Sequence, residues 1–257
     1  MFQGGGTLGG QPLAVLGSTL FLDSKPIVPD LVTGVPYDAN YSTGQIKGAG
    51  SVTFAASVGV MTAIKAAGLI ATTRSTIDCT VSNGQVSHTL TSPYINSFTL
   101  SCNAQNNAIV APSVDFIALN DVIGSNSTGT PPSQNSFIPQ FLTTFTGSIV
   151  NGQAVSFEIT VTNNLFVLYT LDGTNTGYPS SIQYGLLKVN GNVMMYGGTP
   201  PVAQGVYTGT ITGIGTTLAM NNLVNFDVHG DVTGPNNKPF QMVTFEAIGN
   251  GESAPIS

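Results

Sequence analysis

The chain has 257 residues, of which only 7% are charged, and its formal net charge is −6. Globular domains average roughly 25% charged residues, so much of this surface must consist of uncharged polar side chains or contact other protein. Six basic residues spread singly along the chain argue against nucleic-acid binding. The 41% hydrophobic content with 31 Gly and 15 Pro predicts an all-β protein with many turns and excludes a disordered chain.

The first 48 residues are expected to form an extended arm. They contain the stretches GGGTLGG and KPIVPDLVTGVP and have little hydrophobic periodicity. An arm of this kind becomes ordered against a partner surface. The start of the chain lacks the basic and apolar regions of a signal peptide. Polar residues interrupt every long uncharged span, so a membrane span is not expected.

One helix is predicted near the start of the following region. GSVTFAA alternates as a strand, and SVGVMTAIKAAGLI then places Val58, Met61 and Ile64 near helical spacing. This predicts a helix at about residues 57–70, with Ser57 as its N-cap. Its apolar stripe is interpreted as core packing.

Four strand-like runs follow, and they predict an antiparallel meander. They are STIDCTV, QVSHTL, NSFTLSC and SVDFIAL. Cys79 and Cys102 lie in these runs and are interpreted as two free, packed thiols, with a disulfide as the alternative. Residues 120–140 are rich in Gly, Ser and Pro and are predicted to form a long loop that joins two halves and contacts a neighbour.

The second half is also predicted to be β-structure. Residues 49–119 and 141–250 each contain a V-[ST]-F strand followed by an apolar segment closed by Gly, which is a hint of quasi-symmetry. In EITVTNNLFVLYTLDG, a strand pattern stops abruptly at Asn163-Asn164. The dipeptide Asn190-Gly191 favours a hairpin turn. The alternative is one continuous strand with a bulge or a close backbone approach at Gly191.

Titratable side chains are scattered, and no enzymatic motif or cofactor-binding motif occurs in the sequence. The protein is therefore not expected to be an enzyme or to bind a cofactor. The run DVHGDV places Asp227, His229 and Asp231 on one face of a strand, where they could hold a metal ion. The simpler interpretation is the polar side of an amphipathic strand. His88 is predicted to face the surface.

Two long stretches resemble the tail tube proteins, or major tail proteins, of tailed bacteriophages. In VSFEITVTNNLFVLYTLDGTNTGYPSSIQYGLLKVNGNVMMY, an Asn-rich turn, a short apolar segment, a Pro-Ser-x-Ile loop and a Gly-containing strand follow in the family's order. SPYINSFTLSCNAQNNAIVAPSVDFIALND is similar to the family's paired strands, and GAGSVTFAASVGVMTAIKAAG to the strand and helix before them. The resemblance covers roughly residues 48 to 248 and places Gly191 inside a strand.

The resemblance implies a tail-tube-like β-sandwich or barrel with one flanking helix. Residues 1–48 would be the arm, 49–250 the tail tube domain and 251–257 a C-terminal tail. Rings of six chains would stack head to tail into a hollow tube, through which DNA passes to the host as non-specific cargo. A trimer of two-fold-repeated subunits is the alternative ring.

The implied partners are other copies of the chain and other tail proteins. Those proteins are the tape measure, the terminator, the tip or baseplate and, in a contractile tail, the sheath; no membrane partner is implied. The protein would be made in the host cytoplasm and reside in the virion tail. The arm 1–48 and the loop 120–140 are the predicted contacts between rings.

An acidic or neutral lumen would let DNA slide without adhering. A ring of six chains, each carrying −6, has a formal charge of about −36. Some of six acidic residues are expected to face the lumen: Asp78, Asp115, Glu158, Asp227, Asp231 and Glu246. Two alternatives remain: a tail-tip, adaptor or baseplate ring protein of the same fold, and a sugar-binding β-sandwich or adhesin. The absence of Trp weighs against sugar binding.

Overall fold

A computed structural model describes residues 4–24, 45–82, 86–125, 136–170, 177–198, 205–231, 240–248 and 255–257 of the protein. Within these ranges the chain is mostly antiparallel β-strand with one α-helix, as the sequence predicts. The first eight strands are β1 Gly4–Leu8, β2 Gln11–Ser24, β3 Ile46–Phe54, β4 Cys79–Ser82, β5 Val86–Thr91, β6 Tyr94–Asn103, β7 Ser113–Ala118 and β8 Asn120–Ser125. The remaining strands are β9 Thr144–Thr146, β10 Gln153–Thr162, β11 Phe166–Leu168, β12 Ser181–Gln183, β13 Lys188–Tyr196, β14 Val206–Thr212, β15 Leu218–Asp231 and β16 Phe240–Ile248.

Fourteen of these strands form one sheet in the order β8-β5-β4-β1-β2-β3-β7-β6-β10-β13-β16-β15-β14-β9, and β11 pairs separately with β12. Near one end β8 lies against β3, and near the other end β9 lies against β10. The sheet therefore folds back over its own centre at both ends. The apolar core fills the space between the layers and includes the fully buried Phe54, Phe98, Leu100 and Ile159.

The helix lies where the sequence predicts it. It consists of α1 Val58–Ile64, continued by a π-helical turn, Lys65–Leu69. Met61 and Ile64 of the predicted apolar stripe are buried in the core, together with Val60. Val58, the first predicted member of the stripe, is exposed. Ser57 occupies the N-cap position with extended backbone, but its side chain makes no capping hydrogen bond.

The predicted extended arm is wrong for residues 4–24, which form β1 and β2 inside the sheet. The glycines that hid the strand pattern permit this packing. A Cβ atom at Gly6 would lie 2.0 Å from the Thr80 carbonyl oxygen of β4, and Gly9 and Gly10 adopt positive φ angles of 57° and 72° in the turn before β2. Residues 1–3 and 25–44 of the predicted arm lie outside the described residues.

The predicted loop 120–140 and the predicted tail 251–257 are also partly ordered. Residues 120–125 are β8, and a 3-10 turn spans Gln140–Leu142. Of the tail, Ile256 is fully buried, and Ser257 exchanges two backbone hydrogen bonds of 2.9 and 3.0 Å with Ala219 of β15. Residues 126–135 and 251–254 lie outside the described residues.

Of the two alternatives at Asn190-Gly191, the continuous strand is confirmed and the hairpin is wrong, because β13 runs straight through both residues. Gly191 pairs with Ile159 of β10 and Phe245 of β16. A Cβ atom at Gly191 would lie 2.6 Å from Cζ of the Phe245 ring. The glycine is therefore needed for close packing on the core side of the strand.

The central eight strands form two units with the same order. In each unit the first strand in the chain pairs with the second, the second with the fourth and the fourth with the third. These are β2-β3-β7-β6, the first unit, and β10-β13-β16-β15, the second unit. The V-T-F and V-S-F segments do not correspond, since one lies in β3 and the other in β10, which occupy different positions in their units.

Candidate functional site

One face of the central eight strands is polar, and we call it the polar face. Alternate residues of these strands point away from the core, and residues paired across neighbouring strands share a face. Its members are mainly Ser, Thr, Asn and charged residues. The polar and charged members are Thr19, Asp23, Lys47, Ser51, Asp115, Ser97, Thr99, Ser101, Glu158, Thr160, Lys188, Asn190, Asn192, Thr244, Glu246, Asp227 and His229. The same face also carries the apolar residues Phe21, Ala49, Ile117, Met194 and Met242.

One row of the polar face crosses five strands without interruption. Ser101 of β6 pairs with Glu158 of β10, and Glu158 pairs with Asn192 of β13. Asn192 pairs with Thr244 of β16, and Thr244 with Asp227 of β15. The two acidic members, Glu158 and Asp227, are exposed. A shallow cavity of about 220 Å³ opens beside Glu158.

Four of the six predicted lumen residues lie on this face: Asp115, Glu158, Asp227 and Glu246. Asp78 does not, because it precedes β4, where its carbonyl oxygen accepts a hydrogen bond from Gly9 at 2.8 Å. The backbone of Asp231 ends β15, and its side chain lies outside what the structure describes.

Asp23, which the sequence analysis did not single out because it lay in the predicted arm, is a fifth acidic residue on the face. Among the side chains that the structure describes, five carboxylates against two lysines, Lys47 and Lys188, give this face a formal charge of −3 with histidine neutral.

The charges of the polar face are partly compensated within it. Nζ of Lys47 lies 3.5 Å from Oδ2 of Asp23, and Nζ of Lys188 lies 2.9 Å from Oε1 of Glu246. Asp115 accepts a hydrogen bond from the Ser97 hydroxyl. These pairs are partly exposed, so each contributes at most about 1 kcal/mol to stability. These contacts hold the paired side chains in place, and the net charge of the face remains negative.

Two of the three residues proposed to hold a metal ion, Asp227 and His229, are in contact. The third is Asp231. Nε2 of His229 lies 2.8 Å from Oδ2 of Asp227, and both side chains are more than half exposed. Among the described residues, no group of three or more His, Cys, Asp or Glu side chains is placed to hold a metal ion. The pair is an exposed part of the polar face.

No family model matches the chain, and no curated protein matches it significantly. None of the described helices has the length and apolar character needed to cross a membrane.

A buried amide explains why the strand pattern stops at Asn163. This side chain is fully buried directly after β10. Its Nδ2 donates to the carbonyl oxygens of Gly68, at 2.9 Å, and Ile95, at 2.8 Å. Its Oδ1 accepts from Nη1 of Arg74 at 3.0 Å. Asn163 therefore joins β10 to the π-helical turn and to β6, and every polar atom of its side chain has a partner.

Arg74 and Tyr184 complete the group, which we call the Asn163 cluster: Gly68, Arg74, Ile95, Asn163, Tyr184 and Gly185. Nη1 of Arg74 also donates to the Gly185 carbonyl oxygen at 3.0 Å, and its guanidinium lies 4.9 Å from the centre of the Tyr184 ring. Burial lowers the pKa of Arg74 and raises that of Tyr184 to about 12. The cluster fixes the base of the β11–β12 hairpin against the helix.

The β11–β12 hairpin carries an exposed apolar surface. Phe166 is 63% exposed, Leu168 43% and Leu186, just beyond β12, 53%. Asn164 turns the chain into this hairpin with a positive φ of 47°, and its Nδ2 donates to the Leu186 carbonyl oxygen at 2.7 Å. The apolar run after Asn163-Asn164 therefore does not enter the core.

A second buried polar group links β5 to the strand β8 at the end of the sheet. Nδ1 of His88 lies 2.7 Å from Oδ2 of Asp121, whose side chain is fully buried. His88 is thus half-buried and paired with a buried carboxylate, a contact that its predicted surface position did not include. The sequence pattern did not reveal this contact, because the two residues are distant in the chain.

The two cysteines are free and buried, as interpreted from the sequence. Burial, with a smaller contribution from the nearby Asp121, raises the pKa of the Cys79 thiol to about 12. Burial also raises the pKa of Cys102. Thiols in this state are inert packing residues.

Proposed function

We propose that this protein is a structural virion protein that polymerises as stacked rings into a hollow phage tail tube, through which DNA passes to the host. The observation that carries the proposal is the polar face. It extends over eight strands, is rich in hydroxyl and amide groups with a few apolar side chains between them, and is acidic. A surface of this composition is suited to line a water-filled channel.

The acidic character of the polar face supports passage of DNA. Duplex DNA carries one negative charge per about 1.7 Å of its axis, and proteins hold it mainly by releasing counterions with Lys and Arg. Both lysines of the face are paired with carboxylates. Phosphates therefore meet net repulsion and neutral hydrogen-bonding groups, and DNA moves without adhering.

Assembly is supported by the ends of the central eight strands. Within the described residues, the second half of β2 pairs only with β3, and the second half of β15 pairs only with β16. Uncovered strand edges pair readily with another chain. A ring in which copies share one sheet would cover both edges.

The two four-strand units favour three chains in each ring. The sequence resemblance implies a ring of six subunits, and each chain here contributes two units of the same strand order. Six units then require three chains, which is the two-fold-repeated trimer. Exposed apolar side chains outside the sheet, such as Phe166 and Leu186, are the proposed contacts between stacked rings.

Electron microscopy of the purified protein over a range of concentrations tests this function. We expect stacked rings or tubes with a central channel, and a density map in which Glu158 and Asp115 face that channel. A protein that stays monomeric at every concentration would refute the tube. A single closed ring that never extends would instead favour the tip, adaptor or baseplate alternative.

A further inference from the structure

The two units of the central sheet share irregularities as well as strand order. In the first unit, an extra residue bulges from β2 between Val15 and Gly17, and another from β6 between Ile95 and Ser97. In the second unit, the bulges lie in β10 between Ala154 and Ser156, and in β15 between Asn225 and Asp227. Bulges are specific features of a fold, so their coincidence indicates that the units are a structural repeat.

When the two units are aligned at their bulges, several identical residues occupy corresponding positions. Gly50 then corresponds to Gly191 and Lys47 to Lys188, and both lysines form ion pairs. In β7 and β16, the segments SVDFIA and MVTFEA align at Val, Phe and Ala, all of them buried. The repeat therefore extends from backbone geometry to the core side chains.

The chain already contains one junction between such units. The third strand of the first unit, β6, pairs antiparallel with the first strand of the second unit, β10. In that junction Phe98 pairs with Val161, and Thr99 pairs with Thr160. Two strand edges have no such partner among the described residues. They are the second half of β15, the third strand of the second unit, and the second half of β2, the first strand of the first unit.

We propose that β15 of one copy pairs antiparallel with β2 of a second copy, in the register of the internal β6–β10 junction. This inference rests on the proposed assembly and specifies its contact. Transferring the register pairs Val228 with the second copy's Leu22, and His229 with the second copy's Phe21. Strand directions agree, because eight antiparallel strands in a row leave β15 and β2 running in opposite directions.

The side chains on these edges fit the proposed pairing. Leu22 is 38% exposed at the free edge of β2, and its counterpart Val161 is fully buried in the internal junction. Val228 is half-buried and already packs against the core. Pairing would bury Leu22 against Val228, as Val161 is buried against Phe98. Phe21, which is 50% exposed, would pack beside His229.

The register also places Asp227 opposite the second copy's Asp23. Like charges directly opposite each other destabilise a sheet. Here the ammonium of Lys47 offsets the charge of Asp23, and Nε2 of His229 lies 2.8 Å from Oδ2 of Asp227. Each carboxylate therefore brings its own partner to the contact.

Disulfide cross-linking of the assembled protein tests the register. The variant Phe21→Cys/His229→Cys places two thiols directly opposite each other, and Phe21→Cys/Asp227→Cys places them on a diagonal, where Cβ atoms are roughly 7 Å apart. After oxidation, we expect a ladder of linked chains that ends at three in the first variant only. The single variants and the wild type, whose own thiols are buried, should give monomers.

The outcomes separate the contact from the assembly. Rings or tubes that cross-link in the diagonal variant, or in neither variant, overturn the register and leave the tube intact. Absence of any assembly by the wild type overturns both. As a second measurement, Leu22→Asp should abolish assembly without lowering the melting temperature. The control Val122→Asp, at a 51% exposed position in β8, should assemble normally. Normal assembly of Leu22→Asp would also overturn the contact.

Discussion

Replacing Asn163 with alanine should strongly destabilise the monomer. The change removes the two hydrogen bonds to the carbonyl oxygens of Gly68 and Ile95, and the one from Arg74. Both carbonyl-bearing residues are buried, and a buried polar group without a partner costs about 1–3 kcal/mol. Arg74 keeps its bond to Gly185, so we count only the two carbonyl groups fully. The expected loss is about 3 kcal/mol.

Thermal and urea unfolding of the dilute protein measure this loss. For a chain of this size, about 3 kcal/mol corresponds to roughly 6–12 °C in melting temperature. The matched control is Asn164→Gly, which keeps the positive φ and removes one exposed hydrogen bond to Leu186. It should cost less than about 1 kcal/mol. Equal losses in both variants, or a loss below about 1 kcal/mol in Asn163→Ala, would refute the role assigned to this amide.

Three further predictions concern the core, the thiols and the polar face. Gly191→Ala should cost about 2 kcal/mol, because its Cβ would lie 2.6 Å from Phe245, whereas Gly17→Ala, with nothing within 4 Å, should be neutral in the same unfolding assay. The raised pKa of Cys79 means that only the unfolded chain ionises from about pH 9, so stability should fall from pH 9 towards 12, by up to about 1.4 kcal/mol per pH unit for this group. Cys79→Ser should flatten the stability curve between pH 9 and 10, and an unchanged curve would contradict the assignment. Assemblies of the Glu158→Arg variant should bind duplex DNA in a salt-dependent manner, as measured by co-sedimentation. The wild type and the control Thr89→Arg, whose substitution lies outside the polar face, should not. Wild-type assemblies that bind DNA equally well would argue against a repelling channel.

Sequence reasoning succeeded where periodicity is strong and local. The helix at residues 58–69 and the alternating strands β6, β7 and β10 have clear patterns, because one side of each packs into the core. It failed where glycine replaces an apolar side chain at a close contact. In β1, the neighbouring backbone fills the place of a side chain at Gly6, so the glycine-rich strand has little hydrophobic signal. At Gly191, the Phe245 ring fills that place, and the glycine there gives a turn signal within a strand.

The sequence indicates six scattered acidic residues as candidates for a lumen and does not show that four of them share one face. Asp115, Glu158, Asp227 and Glu246 are distant in the chain, and sheet order brings them onto one surface. The repeat was suspected from the wrong segments, since the V-T-F and V-S-F similarity is coincidental. The correspondence is set by the bulge positions, and the few identical residues that it aligns, such as the Val, Phe and Ala of SVDFIA and MVTFEA, are too short a match to find it from the sequence. Pairing partners in an antiparallel sheet depend on tertiary packing, and a single sequence does not determine them.

The covalent link between the two units changes how a ring would close. In a ring of six units built from three chains, every second junction is the internal one between β6 and β10. Only three encounters between separate molecules are then needed, and each carries the entropy cost of immobilising a free partner. Because the two units belong to one chain, they can also differ from each other in sequence and in attached elements. The helix α1 follows β3 in the first unit, and the β11–β12 hairpin follows β10 in the second. In the proposed ring, the two halves would therefore present different attachments around the outside while continuing one inner sheet.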